Sequence, residues 1–238
     1  MGIELAAEGT GLFNSVVRPD GVDYRKLATE VRSDLAQLMH WVGTTDPRTL
    51  AAGDERLAFL INAYNLSVID AVVRISGRSA SFRRKGLNGI WSKFHFFFLQ
   101  RVCVGGRRVS LSRLERKWIL KAFEEPRVHF ALNCASESCP PLKRGLYSGK
   151  NLDQELDLAA RNFLSNSSGF RADKEQGIAY LSRIFHWYSK DFGGREGIRR
   201  FIADHLQGDD REWFSSTDPE LKFMQYSWNL NDAETELR

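Results

Sequence analysis

The chain has 238 residues, 42% hydrophobic and 12% aromatic, enough to fill a sizeable core in a single domain and to exclude disorder along its whole length. Its 34 Lys and Arg stand against 30 Asp and Glu, and a net charge of +4 is too mild to argue for a nucleic-acid partner. Three cysteines make no disulfide framework and match no zinc-binding spacing, so no metal and no cofactor is expected and the reducing cytoplasm is the default compartment. Residues 1 to 17 lack a basic start followed by an apolar run, and no segment approaches the ~20 apolar residues of a membrane span. Neither a leader nor a span is expected from these features, a leader already removed being left open.

In chain order, a Pro-Asp-Gly-Val-Asp turn at 19 to 23 precedes Tyr24, Leu27, Val31, Leu35, Leu38 and Val42, whose spacing predicts one amphipathic helix closed by Gly43. From Asp54 to Ile75 the apolar residues cover nearly every face, as in a helix buried all round. Asn62 and Asn65 lie inside it one turn apart, and a buried amide costs a few kcal/mol unless it is paired. Either they tie the helix to neighbouring backbone or they orient groups elsewhere. Between 74 and 121 the cations crowd together with Glu115 the lone acid; most such runs are solvated faces, but Arg83, Arg84 and Lys85 could meet an anionic ligand. Residues 77 to 92 suggest a loop. Alternation of Phe94, Phe96 and Phe98, then Val102 to Val104, Gly105-Gly106 and Arg107 to Val109, predicts a β-hairpin. Cys103 is an inert strand residue in that reading. Ser110 or Ser112 caps a helix through Phe123, and Asn151 caps another with Leu152, Leu156, Ala159 and Phe163 inward. Phe170 and Ile178 to Leu181 form a second hairpin, an aromatic stretch holds His186 and Asp191, residues 195 to 206 form a helix, and Phe223, Tyr226 and Trp228 pack back on the body. Asn166-Ser-Ser fits a glycosylation acceptor, with nothing else to suggest secretion.

Reactive groups concentrate at residues 127 to 142. His129 to Asn133 has the length and apolar content of a buried strand, which Pro140 and Pro141 cannot continue. A regular strand puts His129, Ala131 and Asn133 on one face and Phe130, Leu132 and Cys134 on the other, with His129 and Cys134 about 16 Å apart. Cysteine reacts as thiolate and needs a base or positive field, and a third group helps to hold the base. Cys134 is the preferred nucleophile and Cys139 the second; His129 or His186 serves as base, with His95 a further partner; Asn133 and Asp191 orient it; Asn62, Asn65, Ser136 and Ser138 stand behind. Cys134 and Cys139 can also pair if their Cα atoms come within ~4.4 to 6.8 Å, which suits thiol redox chemistry.

Several stretches carry a resemblance. These are Gly-Val-Asp-Tyr at 21 to 24, Glu-Arg-Leu-Ala-Phe-Leu-Ile-Asn-Ala-Tyr-Asn at 55 to 65, Gly105-Gly106 leading to Ser110-Leu111, and His-Phe-Ala-Leu-Asn-Cys-Ala-Ser-Glu-Ser-Cys-Pro-Pro-Leu at 129 to 142. Leu181 to Phe192 and Tyr226-Ser-Trp-Asn-Leu230 follow in the same order. The chain resembles the family catalogued as domain of unknown function 547. The resemblance implies a single α+β domain, found in bacteria and in eukaryotes fused to modules such as glutaredoxin-like domains, and no assigned reaction. Where many members carry Glu-His, this chain has Glu115-Arg116. A base supplied by that histidine elsewhere in the family is absent here.

The expected fold is therefore α+β, a helix-rich single domain over residues 12 to 231 around a small, mainly antiparallel sheet, with a papain- or transglutaminase-like arrangement as the finer expectation and loose termini at 1 to 11 and 232 to 238. The expected activity is cysteine-centred acyl transfer or hydrolysis of an amide or thioester, on a small-molecule or peptide substrate. The alternatives are a binding or scaffold module with a structural polar cluster, and a thiol redox protein.

Overall fold

The computed structural model describes residues 2–79, 81–82 and 86–233, with side chains from Glu8 onward in the first helix. Arg83, Arg84 and Lys85, the expected anion-binding cations, lie outside the described residues. The fold is α+β and 55% helical, with small sheets of two or three strands.

Helix α4 (Asp54–Ser76) is its axis. Every residue from Leu57 to Ile69 is buried, as an apolar surface with no polar stripe requires. Asp54 and Glu55 in its first turn and Arg74 in its last suit the helix dipole. The expectation that no segment has the make-up of a membrane span does not hold for this helix: its length and hydropathy are those of a span, although 83% of its most apolar window is covered by the rest of the chain.

Around α4 stand α1 (Gly2–Val16), the short pair β1 (Val17–Arg18) and β2 (Gly21–Val22), α2 (Tyr24–Thr29) and α3 (Arg32–Thr44). Residues 2 to 11, expected to be a loose terminus, belong to α1. The single helix expected from Tyr24 to Val42 is two: Asp23 caps α2 by accepting from the Lys26 N–H, and Val31, at φ −116° and ψ 29°, leaves the helical region before α3. Arg32, at the start of α3, reaches Asp70 of α4 at 3.0 Å, so the break lets each short helix set its own line against the axis.

The phenylalanine-rich stretch is helical and not a strand. Helix α5, residues 90–99, runs as an α-helix from Ile90 to Phe94 and as a π-helix from His95 to Leu99. In a run of nearly unbroken apolar residues an alternating pattern carries no information about period, because no polar partner marks the other face. The hairpin is confined to β3 (Arg101–Val104) and β4 (Arg107–Ser110), with Gly105 and Gly106 at φ +55° and +73°, the left-handed pair that a tight two-residue turn demands. A Cβ on Gly105 would also lie 2.9 Å from the Asp46 backbone. Cys103, on β3, is exposed and unpaired with either other cysteine. Helix α6, residues 111–123, is capped by Ser110, whose hydroxyl accepts from the Arg113 N–H, and is π-helical from Leu114 to Leu120.

The last third adds α7 (Val128–Ala131), α8 (Leu152–Leu164), the antiparallel hairpin β5 (Phe170–Asp173) and β6 (Ile178–Leu181), α9 (Arg183–Trp187), α10 (Gly194–His205), α11 (Gly208–Thr217) and β7 (Glu220–Phe223), which pairs parallel to β6. Asn151 stands at the N-cap of α8 but its side chain makes no capping bond; a 3-10 turn, Gly149–Asn151, leads in instead. Among the described residues the strands form three separate ladders, not one sheet. Among the described residues two apolar cores result, one around α4 and one of tilted, closely packed rings from Phe130, Phe163, Phe185, Phe192 and Phe201. They meet at α7, where Val128 and Ala131 enter the first core and Phe130 the second.

A candidate active site around Cys134

The strand expected at residues 129 to 133 is a helical turn followed by extended chain. Pro126 has a fixed φ suited to a helix start and no N–H to place. Behind it the Val128, His129 and Phe130 amides donate to Glu125, Pro126 and Arg127 oxygens at 3.2, 3.2 and 3.0 Å. Five residues therefore do not span an extended 16 Å, and His129 and Cys134 line the same cavity.

Asn65 of α4 fixes the exit from that turn. Its amide donates to Ala131 O at 2.9 Å and accepts from the Asn133 N–H at 2.9 Å. Asn62 grips the next loop in the same way, donating to Tyr147 O and accepting from the Tyr147 N–H, both at 2.8 Å. Each side chain mimics a strand partner, so the two buried amides are satisfied by backbone. Asn62 does not line the cavity that holds His129 and Cys134. Asn133 is equally committed: its amide donates to Pro140 O and accepts from the Ala135 N–H, both at 2.8 Å, closing the loop on itself. It makes no contact with His129. Ala135 inside this loop has φ +64°, a left-handed conformation costing an alanine on the order of 1 kcal/mol, and is held there by Asn133 and by the Asn231 N–H on its carbonyl.

The loop brings Cys134 and Cys139 together. Their sulfurs are joined with Cα atoms 6.2 Å apart, and the Cys134 N–H points at the Cys139 sulfur from 2.8 Å. Cys139 is buried and Cys134 half-buried. Around the Cys134 sulfur stand the Ser136 hydroxyl at 3.0 Å and the Tyr226 hydroxyl at 3.3 Å, and Ser136 donates to Tyr226 at 2.9 Å. Ser138 faces away and accepts from the Ser227 N–H, pinning the C-terminal tail over the loop.

Of the other candidates, Asp191 meets His129 and His186 does not join them. The His129 Nε2 lies 2.8 Å from an Asp191 oxygen, and with Nε2 protonated Nδ1 is left as the acceptor. Burial pushes the His129 pKa down, opposed by the Asp191 carboxylate, so the ring is held neutral. His186 is exposed against Phe223, their rings 5.1 Å apart, and is not on the cavity wall. An aromatic turn in sequence put both polar residues within reach, but α9 ends at Trp187 and rotates His186 outward while the following turn carries Asp191 back.

The cavity, of about 460 Å³, is also lined by groups outside the expected set of site residues. Glu115 and Arg116 enter on the π-helical turn of α6, and Phe97 and Phe98 on that of α5. Such turns recur at functional sites because one extra residue redirects the side chains. The Glu115 carboxylate accepts from the Tyr188 hydroxyl at 2.7 Å and the Tyr64 hydroxyl at 3.3 Å. Burial pushes its pKa up in spite of these donors and of Arg116, while burial and the same carboxylate drive Tyr64 and Tyr188 up. Tyr188 stacks on His129 with ring centres 4.0 Å apart, so the carboxyl and the imidazole share a wall. Trp187, Tyr226 and Trp228 close the other side, their centres 4.8 to 5.6 Å apart. One signal pointed to Glu115: it is the lone acid in a basic run, next to Leu114 and Trp118 that face inward.

The geometry thus combines a cysteine pair, a neutral imidazole held by a carboxylate, a second carboxyl with a raised pKa, and an arginine. Among the described residues no three His, Cys, Asp or Glu side chains gather as a metal site. Neither a curated protein nor a solved structure matches the chain. Residues 47–164, which include α4, Glu115 and the cysteine loop, match the family described as "Protein of unknown function, DUF547", and the chain belongs to that family.

Proposed function

We propose that this protein is a cysteine-centred enzyme that transfers or hydrolyses an acyl group held as an amide or thioester, with Cys134 as nucleophile once its bond to Cys139 is opened. Opening requires two equivalents of a thiol, which leave as their disulfide while both cysteines become thiols. The Cys134 proton then passes to His129, held by Asp191, and the thiolate attacks the acyl carbon. The carbon–nitrogen or carbon–sulfur bond to the leaving group breaks, and His129 returns the proton to the departing atom. In the second half-reaction water or an acceptor gives His129 a proton, attacks the acyl-enzyme and expels the Cys134 thiolate. Arg116 offers positive charge to the oxyanion that forms in each half. What supports this reading is a single observation: Cys134, His129, Glu115 and Arg116 line one cavity. A scaffold role requires no such opening onto the cysteines.

The test uses Cys139→Ala, which leaves Cys134 unable to pair. Alkylation of Cys134 against pH should give a pKa below the ~8.5 of a free thiol, and an aryl thioester should leave an acyl mass on Cys134. Replacing His129 by Ala should return the pKa toward that value. A thiol that neither alkylates nor acylates ends the proposal.

A second reading, thiol–disulfide exchange, is favoured by the Cys134–Cys139 bond itself. It requires that glutathione redox buffer change the free-thiol count by two per chain. Cys139→Ala separates the two readings, since it abolishes exchange and leaves acylation intact.

A further inference from the structure

From residue 71 to residue 114 the sequence contains no Asp or Glu, and ten Lys and Arg. Helix α5 lies in the middle of this span and is amphipathic in the wrong sense for a core helix. Its inner side supplies Phe96, 1% exposed, while Ile90 and Trp91 are each 79% exposed, Phe94 45%, Phe98 43% and Leu99 52%. The exposed rings form a continuous stripe, with Trp91 and Phe94 centred 6.4 Å apart and Phe94 and Phe98 5.4 Å apart. Scattered apolar residues on a surface need no explanation, but a contiguous aromatic patch marks a surface that is covered in use.

Two features say by what. Exposed cations stand on the segments that pack against the helix or continue from it: Arg101 directly after it, Arg108 on β4, and Arg113 on α6. Lys93 rises from α5 itself, its ammonium 4.0 Å from the centre of the Trp228 ring. An aromatic stripe flanked by cations, in a stretch of sequence without acids, complements an anionic interface into which rings can sink, the pattern of helices that lie in the plane of a lipid headgroup layer. The stripe also continues into the cavity: Phe98 belongs to both, and half-exposed Trp187 stands on the cavity wall with it.

We propose that α5 docks this protein on an anionic lipid surface, with Trp91, Phe94 and Phe98 in the headgroup layer and the cavity mouth facing the lipid. The docking depends on no part of the acyl chemistry proposed above. Its consequence for substrate does rest on that reading: the acyl group comes from an amphiphile in the lipid layer, entering between Phe97, Phe98 and Trp228.

Flotation of the full chain with phosphatidylcholine vesicles, with and without phosphatidylglycerol, tests the docking. Binding is expected only to the anionic vesicles, weakening as salt rises, and falling about tenfold or more for Trp91→Glu with Phe94→Glu, which removes two buried rings and adds two like charges. Arg101→Glu with Arg113→Glu should weaken it while leaving the stripe intact. Circular dichroism of each variant establishes that it is folded. Absence of flotation with the wild type, or binding indifferent to the Trp91 and Phe94 changes, overturns the docking. So does a wild type that elutes as a dimer and a Trp91→Glu form that elutes as a monomer, because the stripe is then a self-interface.

The orientation of the mouth is read separately, on Cys139→Ala. Vesicles carrying a maleimide headgroup should label Cys134 faster than a soluble maleimide at equal bulk concentration, and the advantage should disappear with the Trp91 and Phe94 changes. Equal rates in bound protein overturn the lipid-facing cavity. Reaction with the soluble reagent alone still reports whether Cys134 is an active thiol, so the two proposals fail by different measurements.

Discussion

Helices α4 and α5 are both apolar around most of their circumference, and they have opposite fates. In α4 every residue from Leu57 to Ile69 is buried, polar Asn62, Asn65 and Ser67 included, whereas α5 leaves Trp91, Phe94 and Phe98 in solvent. The difference is one of neighbours. Helices α2, α3 and α6 pack on α4 together with the turn before α8, while α5 is seated on β4 and the start of α6 from one side. An apolar surface is buried by what the rest of the chain can bring to it, and at α5 the chain brings cations instead.

The sharpest way to break this contrast is to cut into α4. Leu66 is fully buried in the larger core, and Leu66→Ala should lower unfolding free energy by about 2–5 kcal/mol in a chemical denaturation experiment. Asn65→Ala should come next, at roughly 2–4 kcal/mol, because it leaves the Ala131 carbonyl and the Asn133 amide buried without partners. It should also raise the mobility of the cysteine loop, seen as faster amide exchange at Asn133. An Asn65 change as mild as a surface one would mean that the loop holds itself.

Two buried titrations of opposite sign should sharpen the contrast through pH. The Glu115 pKa is raised above 4.5, so the folded state holds that proton more tightly and stability is lost as pH climbs from about 4.5 through the folded value. Glu115→Gln should flatten this decline in melting temperature. The His129 pKa is lowered below 6.5, so the unfolded state binds its proton first and stability falls as pH drops from 6.5 toward the folded value. His129→Gln should remove that second loss while leaving the first. The smallest effect belongs to α5: Trp91→Ala should change stability by no more than ~0.5 kcal/mol, and a large loss would show that the stripe is packed in the isolated protein.

Much of the architecture was legible where length, a cap or a glycine turn marked the element. The buried helix at Asp54 to Ser76, the hairpin around Gly105-Gly106, the Ser110 cap, the second hairpin and the helix from Gly194 to His205 all follow from local pattern. The reading failed where no such mark stood. Phe94 to Leu99 and His129 to Asn133 are short and almost wholly apolar, and such runs fit a strand or a helical turn equally well until tertiary contacts choose. For His129 the error propagated, since strand parity had separated it from Cys134. The pairing of Cys134 with Cys139 was open to argument from a spacing of five residues; the bonds of Glu115 to Tyr64 and Tyr188 were not, because 51 and 73 residues separate the partners.

The sequence by itself determined that a nearly all-apolar helix would lie at the centre and that its two amides would need partners, because burial and unpaired polar groups are costly wherever the chain runs, and it put two of the three cysteines in one loop. Only the tertiary structure decided which groups gather around the cavity that the loop opens onto. A carboxyl from α6, an imidazole from α7 and an aspartate after α9 converge through rigid-body packing of separate helices, and no local preference of the backbone encodes that meeting.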